Sequence, residues 1–489
     1  MYDREMKKTA PENGASSEPP SSEGILRAFR RCADLERREL RVGAGALRAQ
    51  LFWIDGLVSA ADAAESLLRP LTEPGRCAAD SEEDCVALIL SGGVWCPSAE
   101  ERSSLGELCE DLLRGRCALV FDGARRALSF ELKSPARPIS EPTLEKSLKG
   151  SRDTFVETLR VNTALVRRHA ATPRLKIAEC GVGKLCRTRV ALLYVEDSAD
   201  PELLRELAAR LDALDADALV SIGALEQRLS DSPLSPFPQL LHTEKPDRLA
   251  SWLLDGRVGV IADGIPLALA LPADMSDLMK VGGDSSMNSV VASVLAALRY
   301  LALALGMYLP ALYVAIASFH REMIPVRLLL SIIEAKKDVP FSTPAEVLGM
   351  LIAFALLQEA GLRLPNPVGD TVSIIGALIV GQSAVEARVV SPIAIIVVAV
   401  SGIACYTLPS QDLGAAVRLC RAGLLLAGML AGLYGVGVAS CLLLAHLASL
   451  ESFGRSYVAP LGGGSPGGLL RLFVRLPFGS ARPRGGGGS

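Results

Sequence analysis

The spacing of apolar positions changes part-way along the chain. Up to about residue 290, short apolar runs alternate with charged and turn-forming residues. Residues 24–47, with alternating charges and periodic Leu, predict a helix. Leu51–Ile54 predicts a short strand, Ser59–Leu71 a helix, and the apolar run Val86–Leu90 a strand ending at Ser-Gly-Gly. A polar helix is expected over Ala99–Leu113, then two strands around a turn at Cys117–Gly123 and Ala127–Leu132. Three prolines in Pro135–Pro142 punctuate the chain. Beyond them, Thr143–His169 has helical period. Arg189–Val195 reads as a buried strand, Pro201–Leu214 as a helix with Pro at its start, and Ala218–Ile222 as a strand. Pro246–Leu254 reads as a helix, and Val258–Ala262 and Leu267–Leu271 complete a sheet. Alternating strand and helix signals argue for two α/β subdomains.

After residue 290 the apolar runs reach membrane length. Tyr300–Phe319, Val389–Gln411 and Ala422–Leu450 hold no charge over 20, 23 and 29 residues. A bilayer core needs about 20 apolar residues, so all three are candidate spans. Thr371–Val385 is shorter and lies between Asp370 and Glu386. Val347–Gln358 is shorter still, as expected of a re-entrant, interfacial or bundle-buried segment. The predicted fold is an α/β cytoplasmic N-terminal region of two subdomains, followed by an all-α polytopic membrane domain. The expected divisions are 1–23 as a disordered tail, 24–134 and 135–290 as the subdomains with a boundary near Ser134, 291–455 as the transmembrane domain, and 456–489 as a basic tail.

Charge sharpens that division. The first 290 residues carry 37 basic and 45 acidic side chains, a balance of −8, and the remaining 199 carry 14 and 9, a balance of +5. This excludes a wholly soluble enzyme, a disordered chain and a nucleic-acid binder chosen by bulk positive charge. Residues 1–23 are polar, with no apolar stretch of signal-peptide type, so the soluble half is expected in the cytoplasm. Arg455, Arg471, Arg475, Arg482 and Arg484 make the tail basic, which places it on the same side. An even number of spans follows, four being the simplest, although Arg321, Arg327, Lys336 and Lys337 lie in a loop that this topology puts outside. The odd set of 11 Cys, without a CxxC pair, reads as free thiols.

Several ordered motifs carry a resemblance. They are Arg137-Pro-Ile-Ser-Glu-Pro-Thr-Leu-Glu145, Lys149-Gly-Ser-Arg-Asp-Thr-Phe-Val-Glu-Thr-Leu159 with Asn162 to Arg168, and Phe237-Pro238 with Thr243-Glu-Lys-Pro-Asp247. Leu254-Asp-Gly-Arg-Val258 and Asp263-Gly-Ile-Pro266 follow. Leu309-Pro-Ala-Leu-Tyr313, Glu359-Ala-Gly-Leu-Arg-Leu-Pro365 and Ile375-Gly-Ala-Leu-Ile-Val-Gly-Gln-Ser-Ala-Val385 complete the series. Together they resemble the A subunit of the GerA family of spore germinant receptors. Lys149-Gly-Ser-Arg152 replaces the family's Arg-Gly-Pro-Arg, and Lys245 an Arg. The resemblance implies a non-enzymatic receptor subunit in the spore inner membrane. It implies partners: a transporter-like B subunit that binds the nutrient and a C lipoprotein, with A subunits forming a homo-oligomer in membrane lipid. It implies cation release that starts germination, and no cofactor, metal or nucleic acid.

The residues themselves offer no GxSxG, P-loop, GxGxxG or HExxH pattern, and the single HxE at His242–Glu244 lacks a PCxxC. Arg137, Glu141, Glu145, Arg152, Glu157, Arg167 and Arg168 form a charged cluster. It is either a solvated helix face or an interdomain or intersubunit lock, with Arg152 and Arg167 as candidates to answer Glu141 and Glu145. Ser373, Ala377 and Gly381 put small residues on one helical face beside Gly376 and Gln382, which suits an oligomer or pore-lining helix. Gly428 and Gly432 form a GxxxG suited to packing inside the bundle. Glu359, Arg363, Asp370 and Glu386 interrupt apolar runs and are candidate gating charges. A secondary transporter with a regulatory domain is the alternative function; it requires broken helices and an internal repeat in the membrane half. A membrane-anchored enzyme is a third.

Overall fold

The computed structural model describes residues 18–459 except 43–46, 74–78, 80, 94–97, 124, 133–144, 146–149, 215, 220 and 364–380. The expected boundary at Ser134 lies outside the described residues. Two compact units separate: residues up to 230 with 240–272, and 231–239 with residues from 273 onward.

The first unit holds two five-stranded sheets. The strands of the first sheet are β1 (Leu35–Val42), β2 (Leu47–Ile54), β3 (Ala99–Arg102), β4 (Arg116–Phe121) and β5 (Arg126–Glu131). Those of the second are β6 (Leu175–Val182), β7 (Thr188–Val195), β8 (Leu241–Thr243), β9 (Val258–Ala262) and β10 (Ala268–Leu271). Their orders are β1-β2-β4-β5-β3 and β6-β7-β9-β10-β8. All pairings are antiparallel.

Shifted by five strands, the two orders are the same, and the helices fall in the same gaps. One helix precedes the first strand of each set (Ser22–Ala28 and Leu159–His169). Helical segments lie between the second and third strands, and one helix lies between the third and fourth (Leu105–Leu113 and Pro246–Leu254). The sequence carries the repeat too: Leu112-Leu-Arg-Gly-Arg-Cys-Ala-Leu-Val-Phe-Asp-Gly123 aligns with Leu253-Leu-Asp-Gly-Arg-Val-Gly-Val-Ile-Ala-Asp-Gly264. Gly115 and Gly256 both end a helix at positive φ, 84° and 88°, a conformation that favours glycine.

The two aspartates do the same work. Asp122 Oδ1 accepts from Ser22 N at 2.9 Å and Oδ2 from Gln50 Nε2 on β2 at 3.2 Å. Asp263 Oδ1 accepts from Leu159 N at 2.9 Å and Oδ2 from Arg189 Nη2 on β7 at 3.1 Å. In each lobe the carboxylate after the fourth strand caps the first helix and ties it to the second strand.

Burial follows the period-two rule on β4. Cys117, Leu119 and Phe121 join one apolar cluster, Ala118 and Val120 the other, so the first sheet is covered on both faces. Several segments depart from the sequence reading for local reasons. Val86–Leu90 is the end of a helix, Glu82–Leu90, because Ser81 Oγ accepts from Asp84 N and starts it. Ala99–Arg102 is a charged edge strand, and Ser104 then caps a separate helix. The charges of Leu35–Val42 belong to another edge strand. Of the described residues in Thr143–His169 only Leu159–His169 is helical, since the Asn162 side chain bonds Val156 N and O and holds the chain extended before it. Ala218 makes only a bridge to Cys186, and Ile222 starts a helix capped by Ser221. The β6 strand escaped the pattern because Glu179 and Gly181 follow Leu175 and Ile177 on the same face and break their apolar alternation.

The second unit is helical. Its helices span Ser289–Phe319, Val326–Lys336, Thr343–Arg363, Pro392–Tyr406 and Gln411–Ser449, with a helical stretch at residues 381–386. Among the described residues, Ser289–Phe319, Thr343–Gly361 and Gln411–Ser449 are long and apolar enough to cross a membrane. The expected span Val389–Gln411 is instead a 15-residue helix closed by a turn at Thr407–Ser410. The short segment around Val347–Gln358 extends into a full-length one.

Candidate functional site: a buried ionic joint and a folded-back membrane helix

Within the first unit, the helix Leu159–His169 precedes the second sheet in sequence and also packs against the first. Gly56 (φ 83°) allows that approach: a Cβ there would lie 2.8 Å from both Ala164 Cβ and Arg160 O. Arg167 points from this helix to Asp34. Its Nε and Nη2 donate to Asp34 Oδ2 and Oδ1, both at 2.9 Å, and Nη1 donates to Leu175 O at 2.9 Å. The side chains are 0% and 1% exposed. A forked pair with both charges desolvated fixes orientation as well as distance. Two turns earlier, Arg160 lies 3.3 Å from Asp55 and 2.7 Å from Glu179, and donates to Ala33 O at 3.0 Å. Lys176 donates to Ala28 O, and Ala33 N to Ile177 O. Beside this joint, burial pushes the Cys32 thiol pKa up, partly offset by Arg167.

Within the second unit, Gln411–Ser449 is not one straight helix. Ala431 (φ −135°, ψ 18°) and Gly432 (φ 59°, ψ −141°) break it. A Cβ on Gly435 would lie 2.2 Å from Ala427 O, and one on Gly428 3.2 Å from Val436. Eight residues of straight helix rise about 12 Å, so these pairs require the chain to turn back as a helical hairpin. Leu424 and Val436 accordingly share one cluster with Ala311 and Ala315. Gly432 adopts a backbone shape that suits glycine and faces Phe319 and His320, 3.0 Å from its would-be Cβ.

The residues just after the hairpin's second arm are fastened to segments 231–239 and 273–275 of the same unit. Ser452 Oγ accepts from Ala273 N and donates to Gln239 O, Phe453 N donates to Asp231 Oδ2, and Met275 N to Tyr457 O. Ser235 Oγ and His446 Nε2 are 3.0 Å apart.

A polar cluster is buried higher in the bundle. Glu346 accepts from Ser391 N at 3.2 Å and Ser391 Oγ at 2.8 Å, and lies 3.0 Å from Lys336 Nζ, which also bonds Thr343.

The pattern described as Bacillus/Clostridium GerA spore germination protein matches residues 23–485, through both units. The chain belongs to the GerA family. It is 35% identical to spore germination protein B1 of Bacillus subtilis (strain 168) over 88% of each chain. It is 34% identical to the uncharacterized membrane protein YfkQ of the same organism, over 91% of this chain and 86% of that one. The solved N-terminal domain of the A subunit of the Bacillus megaterium spore germinant receptor GerK3 is 26% identical, with a TM-score of 0.41, over 53% of this chain and 96% of that one.

The motifs that resembled the GerA family distribute unevenly over this GerA-family structure. Of the charged cluster, Arg137 and Glu141 lie outside the described residues. Glu145 faces Arg248 at 3.0 Å, not Arg152 or Arg167; Arg248 also stacks on Trp252, and Glu145 N donates to Glu244. Arg152, Glu157 and Arg168 are exposed. Among the cluster's described members only Arg167 enters the joint, and its partner Asp34 carries no sequence signal beyond being an acid in a basic stretch.

In the membrane unit, Asp370, Ser373, Gly376 and Ala377 lie outside the described residues, and only the backbone of Arg363 is described. Glu359 is exposed on its helix. Gly381 begins the stretch in which Gln382 donates to Glu386 at 3.0 Å. Gly428 and Gly432 shape the hairpin. Glu346 and Arg421 were missed because each stands at the edge of an apolar run and reads as a flank; both are in fact buried.

Proposed function

We propose that this chain is the membrane-embedded A-type subunit of a nutrient germinant receptor, with a transmitting rather than enzymatic role. On this reading the sheet-bearing unit is cytoplasmic, the helical unit sits in the spore inner membrane, and A subunits oligomerise around an ion path. A transporter-like B subunit and a C lipoprotein complete the receptor, and nutrient binding releases cations that begin germination. The observation that carries the reading is the family match running through both units. The fastening of residues 273–275 to 450–457 supports an even number of crossings, because it brings entry and exit to one end of the unit. The charged cluster, the small-residue face and the four interrupting charges are proposed as assembly, packing and gating elements in turn.

The test is substitution of bulky residues at Ala377 and Gly381 in receptor reconstituted in vesicles. Smaller oligomers or lost ion release are expected; unchanged oligomer size together with unchanged release refutes the proposal. The break at Ala431–Gly432 is the one feature that favours a secondary transporter, because interrupted helices build transporter sites. Solute uptake by the lone subunit would select that reading.

A further inference from the structure

Arg421 lies in the first arm of the hairpin and is 7% exposed. Its Nη1 donates to Ser401 Oγ at 3.2 Å and reaches Cys405 Sγ at 3.9 Å, both on the helix Pro392–Tyr406. Among the described residues no carboxylate pairs with it, and its Nε and Nη2 donors have no partner. Arg418, one turn earlier and half-buried, also has no acidic partner among the described residues. Residues three apart on a helix are neighbours, so the two guanidinium groups add their charge on one face.

An arginine keeps its proton in a protein, and a desolvated guanidinium satisfied only by a hydroxyl and a thiol is costly. Most of the side chain is covered, so water alone lowers that cost little, while the unpartnered Nε–Nη2 edge is not sealed by protein. An oxyanion fits what remains: its oxygens accept from the free edge of the guanidinium.

Depth selects the oxyanion. Arg299, paired with Asp284 at 2.6 and 2.8 Å, marks a polar level on the helix Ser289–Phe319. Gly306, whose carbonyl meets Cys405 Sγ at 4.0 Å, is seven residues further along, a rise of about 10 Å. Head groups occupy about 5–8 Å on each side of the hydrocarbon core. The Arg421 guanidinium therefore lies at the inner edge of that layer, within reach of a phosphodiester. We propose that Arg421, with Arg418 beside it, binds the phosphate oxyanion of an anionic phospholipid from the leaflet on the side where Ser289–Phe319 begins.

The test uses the full-length protein, purified in detergent and weighed by native mass spectrometry with added phosphatidylglycerol. Wild-type protein is expected to retain a bound phosphatidylglycerol, and Arg421→Gln to lose at least tenfold in occupancy at limiting lipid. Should Arg421→Gln fail to elute as a single species, Arg421→Lys carries the test. It keeps the charge without the fork and is expected to lose two- to fivefold. Displacement by millimolar inorganic phosphate would assign the site to free phosphate instead of lipid. Equal lipid occupancy in wild type and in either folded variant overturns the proposal.

Discussion

The joint between Arg167 and Asp34 makes a quantitative claim about the sheet-bearing unit. Replacing Asp34 with Leu leaves a guanidinium that is 0% exposed with no counter-charge, and replacing Arg167 with Met leaves the carboxylate alone. Breaking a buried pair from one side costs about 3–5 kcal/mol, because the surviving charge stays desolvated. If the two losses were independent, the double variant would be about 6–10 kcal/mol less stable, more than many domains possess. With both charges gone, the main remaining defect is the Leu175 carbonyl, which loses its 2.9 Å bond from Nη1, beside a weaker 3.4 Å bond lost at the Thr172 carbonyl. That defect costs about 1–3 kcal/mol. The double variant should therefore be more stable than either single one. All three tryptophans lie in the first 260 residues, and Trp53 and Trp252 sit in this unit, so tryptophan fluorescence in urea follows its unfolding in the intact chain. A double variant that loses the sum of the single losses would refute the claim that the two charges answer one another.

Two further outcomes follow. Gly435→Ala should open or unseat the hairpin and lower the thermal midpoint of the detergent-solubilised protein, since its Cβ would meet backbone oxygen at 2.2 Å. Gly437→Ala, two residues on with nothing within 4 Å, should be neutral or slightly stabilising, by up to about 1 kcal/mol. Equal midpoints for the two variants would disprove the folded-back geometry. In the first unit, burial pushes the thiols of Cys109 and Cys117 up to about 11 and about 12. The unfolded chain loses these protons from pH 9 upward while the folded one keeps them. Stability from this source is thus whole below about pH 9 and falls as pH climbs through the folded values, by about 1.4 kcal/mol per thiol per pH unit. Urea midpoints at pH 8 to 11 should decline less steeply in Cys117→Val than in wild type.

Much of the first unit was legible where pattern and element agree. Cys117–Gly123 and Val258–Ala262 read as strands because apolar residues there continue through both faces of a covered sheet. Charge misled at the edges: Leu35–Val42 and Ala99–Arg102 look like solvated helix yet pair as edge strands, where charge protects an open ladder. The alternating-element reading left strand direction open, and both sheets prove antiparallel throughout. In the membrane half, counting uncharged residues located the apolar mass but not its turns. A run from Ala422 to Leu450 has the composition of one span, and the backbone break at Ala431–Gly432 with the close approaches at Gly428 and Gly435 shows that it doubles back. Asp34 was illegible because its significance depends on a partner 133 positions away.

The paired aspartates of the two lobes have one asymmetry with a practical consequence. Asp122 is answered on its second oxygen by an amide, Gln50, and Asp263 by a guanidinium, Arg189, which is half exposed. Ionic strength acts on the second contact and leaves the first nearly untouched. One architecture used twice thus has one lobe whose helix anchorage follows the salt around it and one that is nearly indifferent to salt, so the two lobes of the same unit need not loosen together when ionic strength changes.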